Sequence, residues 1–161
     1  MFTYQRIKRL LSLKSHSKKG PLLSQTCKSP QYSGTPGWLL LSHDTDMKPT
    51  ALFVDMRETV SSVPLVLDER LFSDSVFRVT RLRSDMFVVS DIRILNGKNV
   101  FETLAYTQRQ ALLNELLDTF HYPDLTALVS LPHVPDGYPI RGYEHYDEQP
   151  GTVGVFLPAV E

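Results

Sequence analysis

The sequence predicts an α+β domain, an antiparallel sheet core with one prominent helix. Three observations predict it. Apolar and β-branched runs of strand length recur over residues 38–95 and again near the C-terminus, with polar turns between them. Only one stretch, residues 107–120, repeats its apolar residues at helical spacing. The length of 161 residues suits one core, and no internal repeat is visible.

The first strand is predicted at residues 38–42, where Trp38, Leu39, Leu40 and Leu41 form a short apolar run. The polar turn of residues 43–49 leads into a second strand at 50–55. Residues 59–67, rich in Val and Leu, give a third. Residues 76–83 mix β-branched residues with arginines, the pattern of a half-exposed strand. Arg78, Arg81, Arg83 and Arg93 are expected on a solvated sheet face, paired with Asp74, Asp85 and Asp91. Residues 86–95 carry the strongest strand signal, and Asn96-Gly97 is a hairpin-type turn pair. Thr107 fits as the N-cap of the helix and Gln110 as its third residue, a capping box. Leu112, Leu113, Leu116, Leu117 and Phe120 form its apolar stripe, and Pro123 lies beyond its end. A strand is expected at 127–131, a loop rich in Pro, Gly and Tyr at 132–151, and a last strand at 152–157.

Charge divides the chain. Residues 1–43 hold seven basic residues and no acid, whereas the remaining 118 hold ten basic and eighteen acidic residues, a formal −8. Gly20-Pro21, Ser29-Pro30 and the run from Gly34 to Gly37 read as an irregular linker. The predicted organisation is a basic arm or targeting segment over residues 1–31 and a domain over 32–161. Three readings of the arm stand: a mitochondrial transit peptide, with Phe2, Ile7, Leu10, Leu11 and Leu13 on one side of a helix; an RNA-binding arm using Arg6, Lys8, Arg9, Lys14, Lys18 and Lys19 on phosphates; and a solvated tail. One cysteine, Cys27, excludes an internal disulfide and fits a reducing, intracellular compartment: mitochondrial on the first reading, otherwise cytoplasmic, nuclear or within a virion. No apolar run approaches a membrane span.

Residues 86–117 resemble the central signature of mRNA capping guanylyltransferases and nucleic-acid ligases, the covalent nucleotidyltransferase superfamily. There a strand ending in Asp is followed by a short strand, an Asn-Gly turn, a polar link and a helix with an early Arg. The matching positions are Asp91, Asn96, Gly97, Arg109 and the leucine pairs. Residues 37–41, 53–57 and 152–156 fall in the order that the family's flanking strands require. The resemblance implies a reduced, guanylyltransferase-like adenylation-domain core.

The family's nucleophile is a lysine two residues before an Asp-Gly pair, and it carries the nucleotide covalently. The aligned stretch here is Gly34-Thr35-Pro36-Gly37, and no Lys-x-Asp-Gly occurs in the chain. Val76, Phe77 and Arg78 stand where a Gly-Glu pair is expected, and Val153 stands for the late Glu. Within the 161 residues no basic strand follows the late motif. The expectation is therefore a pseudoenzyme with no cofactor, similar to the cap-binding domain of snurportin, which binds a capped nucleotide without reacting.

The candidate nucleotide- or cap-binding residues are Trp38, Arg57, Arg78 and Asp91. Trp38 is also a natural core residue, and Asp91 a natural acceptor for a neighbouring turn. His133, Asp136, His145, Asp147 and Glu148 are the densest group of possible metal ligands, but their spacing is of a kind common by chance, and no metal site is assigned. Tyr138, Tyr143, Tyr146 and Arg141 form an aromatic segment suited to an interface. The favoured function is a non-catalytic module binding RNA or a capped or terminal nucleotide. The alternatives are a structural subunit of a ribonucleoprotein or viral assembly anchored by its arm, and a capping or ligase subunit completed by a partner.

Overall fold

The computed structural model describes residues 17–18 and 27–159. In chain order these form β1 (Ser17–Lys18), β2 (Cys27–Tyr32), β3 (Thr35–His43), β4 (Pro49–Asp55), β5 (Val60–Ser62), β6 (Val66–Leu67), β7 (Ser75–Arg83), β8 (Met86–Ile94), α1 (Val100–Thr103), α2 (Tyr106–Phe120), β9 (His121–Tyr122), β10 (Ala127–Ser130), β11 (Ile140–Tyr146) and β12 (Gly154–Pro158). A six-stranded sheet has the order β10-β8-β7-β3-β4-β5, a four-stranded sheet the order β1-β12-β11-β2, and β6 pairs with β9.

This corrects the α+β expectation. Strands make up 49% of the described residues against about 19% helix, in two helices rather than one, so the fold is β-rich. The sheets are also mixed. β3, β4, β5, β7 and β8 pair antiparallel, but β10 joins β8 in parallel and β1 joins β12 in parallel. The chain segment through α1 and α2 makes the crossover that a parallel β8–β10 pair needs.

Besides the two-residue β1 and β9, two surplus strands lie in places read as irregular. β2 lies within the predicted linker, on the arm side of the boundary expected at residue 32. β11 lies inside the predicted loop. Their buried alternate residues are largely polar or small: Ser29 and Gln31 on β2, and Gly142 and Glu144 beside Tyr146 on β11. A strand with a polar inner face gives no apolar period of two, so its alternation is invisible to a hydrophobicity reading. The expected third strand is two short pieces, β5 and β6, separated by Pro64.

The large sheet has two unlike faces. On one, Leu39, Phe53, Phe77, Val79, Phe87, Val89 and Ile92 pack with Leu113 and Leu116 of α2, and Phe53 meets Phe87 edge-on at 5.1 Å. Leu112, Leu117 and Phe120 pack against this core, as the helical stripe predicts. On the other face Trp38, Leu40, Val54 and Val76 form a smaller apolar patch. The alternation along β3, β4 and β7 sends neighbouring residues to opposite faces. The capping prediction shifts by two residues. Ala105 is the N-cap and Gln108 Oε1 accepts from its amide at 2.9 Å, while Thr107 donates to Glu148 at 2.7 Å. Asn96 and Gly97 both have positive φ, 48° and 82°, the geometry of a type I′ turn. That turn closes the Leu95–Lys98 bridge and leads into α1.

Candidate functional site: a buried arginine network between the sheets

Arg78, Arg93 and Arg109 are among the largest fully buried side chains, each 1% exposed. They converge with the buried carboxylates Asp91 and Glu144 beside the second face of the large sheet. Three elements bring them there. β7 supplies Arg78. β8 supplies Asp91 and Arg93, with register shifts against β7 at Ser90 and Arg93. Such bulges re-aim side chains that regular alternation would send elsewhere. α2 supplies Arg109 in its first turn.

Arg78 reaches across to the small sheet. Its guanidinium makes a bidentate pair with Glu144 of β11, donates to the Tyr146 hydroxyl at 3.0 Å and to Gln31 Oε1 of β2 at 3.2 Å. The Tyr146 hydroxyl in turn donates to Glu144 at 2.7 Å. Arg109 makes a second bidentate pair, Nε to Asp91 Oδ1 at 2.8 Å and Nη2 to Oδ2 at 3.2 Å, and donates Nη1 to the Leu104 carbonyl at 2.8 Å. Aromatic rings wall the network. Tyr106 stacks on Tyr146 at 4.3 Å, and the Arg93 guanidinium lies 3.8 Å from the Phe101 centroid and 5.2 Å from that of Trp38.

The electrostatics are those of fixed structure. Burial works against the charge of Arg78, but Tyr146, Glu144 and Asp91 outweigh it and hold its pKa above the usual arginine value. Burial pushes Arg93 down to about 10, with Arg78 and Arg109 adding repulsion and Asp91 opposing them. Burial also lifts the Tyr106 phenol to about 12 and Tyr146 well above its ordinary range. Neither tyrosine ionises near neutral pH, and the protonated Tyr146 hydroxyl is the donor to Glu144. Arginines paired fork-to-fork with carboxylates in a dry site are not poised to exchange protons. Removing one partner of such a pair leaves a buried charge uncompensated, at a cost of about 3–5 kcal/mol.

The structure scatters the sequence-predicted site. Arg78 and Asp91 are in this network, paired with Glu144 and Arg109. Asp91 Oδ1 also accepts from the Ile92 amide at 2.8 Å. The expectation of a solvated arginine face is corrected for Arg78 and Arg93, which are buried. It survives at Arg83, paired with Asp85 at 2.7 Å on the surface. Arg81 lies over the Phe53 and Phe87 rings. Trp38 is a core residue, 6% exposed. Arg57 stands apart on the β4–β5 turn, exposed at the lip of an open cleft of about 370 Å³ lined by Gly34, Thr35, Pro36, Asp55 and Met56. Asp55 holds that turn by accepting from the Arg57 and Thr59 amides, both at 2.9 Å. Of the arm residues, Lys18 lies in β1, while Arg6, Lys8, Arg9, Lys14 and Lys19 fall outside the described residues. Among the described residues no group of three or more His, Cys, Asp and Glu is placed to hold a metal ion. No helix among them is long and apolar enough to cross a membrane.

Glu144 and Gln31 escaped the sequence reading, and Tyr146, expected in an interface segment, is buried in the network instead. Glu144 is 66 positions from its partner Arg78, and no local signal joins the two. The usable clue was the alternation Gly142, Glu144, Tyr146 within a stretch that also carries turn residues.

Gly34 sits in a backbone cradle. A Cβ there would lie 2.4 Å from the Arg81 carbonyl oxygen and 3.0 Å from the Thr80 methyl. No side chain fits without moving β7. A Cβ on Gly154 would lie 2.8 Å from the Tyr146 ring, so this glycine is what lets β12 close over the network. No family model matches the chain, and no curated protein matches its sequence.

Proposed function

We propose that this chain is a non-catalytic, RNA-binding module related to the covalent nucleotidyltransferases. The observation that carries the non-catalytic half is the cradle at Gly34. The position that would bear the nucleophile has its Cβ space filled by the β7 backbone. The buried network supports the same reading, because the resemblance would place a carboxylate motif at residues 75–79, where Arg78 is instead held by Glu144. RNA binding is supported by the acid-free, lysine- and arginine-rich residues 1–43, part of which joins the small sheet through β1. The Arg57 cleft is the candidate seat for a terminal or capped nucleotide, and its volume lies at the small end of the range for ligand sites.

The test is a titration of the full chain with GTP, a cap analogue and a short single-stranded RNA at low and moderate salt, alongside incubation with α-labelled GTP. The expected result is RNA binding that weakens as salt rises, with no label on the denatured protein. A denaturation-stable adduct would overturn the non-catalytic assignment. Failure of RNA to bind even in low salt would overturn the binding assignment.

A further inference from the structure

We infer that the outer face of the small sheet is a stacking platform for single-stranded nucleic acid. The inference deepens the proposed RNA-binding function and rests on it, because it names the surface that reads the bases.

Ser29, Gln31, Glu144 and Tyr146 point inward and are buried. The pleat therefore sends Lys28, Pro30, Tyr32, Tyr143 and His145 to the other face. Lys28 is exposed, and the rest are half-buried. In register, Tyr143 stands opposite Pro30 on one side and Leu157 on the other. Ile140 and Leu157 extend the surface, 38% and 36% exposed. The Lys28 ammonium lies 4.0 Å from the Tyr143 ring centroid. Tyr32 is close enough to Tyr143 that, after burial, the neighbouring phenol helps raise its pKa. The face thus combines two tyrosines with a cation mounted beside them.

Its charge pattern selects the occupant. No carboxylate occupies an outward position of β2, β11 or β12. Two acids follow β11: Asp147, whose carboxylate accepts from the Gln149 amide at 2.8 Å, and Glu148, which is turned to Thr107 of α2 and to Cys27. Beyond β12, the sheet's edge is β1, which belongs to the acid-free segment. An aromatic surface with basic residues at its edge and no outward carboxylate within its three long strands suits bases that stack while their phosphates meet lysines. A base over Tyr143 displaces the Lys28 ammonium, and the four-carbon stem of lysine lets it follow to an adjacent phosphate. An A-form duplex keeps its bases stacked inside and offers such a platform nothing to hold.

The experiment measures binding of the full chain to a labelled 12-nucleotide single-stranded RNA, the same sequence as DNA, and the RNA duplex. The variants are Tyr143→Leu, which keeps apolar bulk but removes the π face, Lys28→Ala, and a fourfold alanine substitution of Arg6, Lys8, Arg9 and Lys14. Thermal melts confirm that each remains folded. Tyr143→Leu is expected to weaken both single strands roughly 5- to 100-fold while leaving duplex binding unchanged. Lys28→Ala is expected to reduce the salt slope by about one ion. The fourfold variant is expected to weaken single strand and duplex alike. Should Tyr143→Leu bind single strands as well as the wild type, the platform is overturned while arm-mediated RNA binding stands. Equal loss of duplex and single strand in Tyr143→Leu also overturns it. If the wild type binds no RNA, the proposed function falls first. If Tyr143→Leu instead loses a co-purifying protein and keeps its RNA affinity, the face is a protein interface and the inference is wrong.

Discussion

The two faces of the large sheet solve one problem in opposite ways. Under α2 the sheet buries Leu, Val and Phe, and its cohesion is non-directional, set by apolar area and close packing. Toward the small sheet it buries three arginines, two carboxylates and paired tyrosines around a small apolar patch, and its cohesion rests on directed hydrogen bonds. The apolar face tolerates a change that conserves volume. The polar face does not tolerate loss of one member, because the partner left behind stays desolvated. In a dry network the same charges that fix the small sheet in place are its points of failure.

The contrast can be broken first at Asp91. Asp91→Ala strands the Arg109 guanidinium in the interior and is expected to cost about 3–5 kcal/mol in denaturant unfolding. Asp91→Asn, which keeps the shape but not the charge, should lose nearly as much. If Asp91→Asn matched the wild type, the charge would be irrelevant and only packing would count. On the apolar side, Leu113→Ala is expected to cost about 2–5 kcal/mol, whereas Leu113→Met should cost under about 1.5 kcal/mol. A Met variant as damaged as the Ala variant would contradict the claim that this face is held by bulk alone.

These two faces also mark what was legible. β3, β4, β7 and β8 carry apolar residues on the helix-covered face, and α2 repeats leucine at helical spacing, so their positions follow from period alone. The Asn96-Gly97 turn was legible because only a few residues accept two successive positive φ angles. β2 and β11 were not, since their buried positions are mostly polar or small, Ser29, Gln31, Gly142 and Glu144, with Tyr146 the one aromatic. Ser29-Pro30 and Gly142 added turn signals within the strands themselves. Arg78 looked like a surface arginine for the same reason. An arginine declares itself buried only through a carboxylate brought up from a distant strand. Asp91 and Arg109 were picked out through the resemblance, but their pairing is a fact of the fold.

Smaller effects sharpen the comparison. Gly97 has φ of +82°, and a Cβ there would meet only the Ser73 carbonyl oxygen, at an ordinary 4.0 Å, so Gly97→Ala should cost only the conformational term, about 1–2 kcal/mol. A loss well above that in unfolding experiments would point to a contact at the turn. His121 lies at the edge of the apolar core, where its Nε2 accepts from the Leu128 amide at 3.0 Å and burial holds its pKa below the usual 6.5. The folded state therefore keeps it neutral while the unfolded chain takes up a proton near 6.5. Its contribution to stability is complete above that pH and is lost as pH falls through the folded value. Thermal melts between pH 7.5 and 5.5 should show a steeper decline for the wild type than for His121→Gln. Parallel curves would remove His121 from the balance.

The central claim is that the Arg78–Glu144 pair is a structural clamp between the sheets, and a denaturant double-mutant cycle tests it most directly. Arg78→Met and Glu144→Leu are each expected to lose about 3–5 kcal/mol, and the double variant far less than their sum, because neither charge is then left alone. Single losses that simply add, or single variants as stable as the wild type, would contradict the clamp.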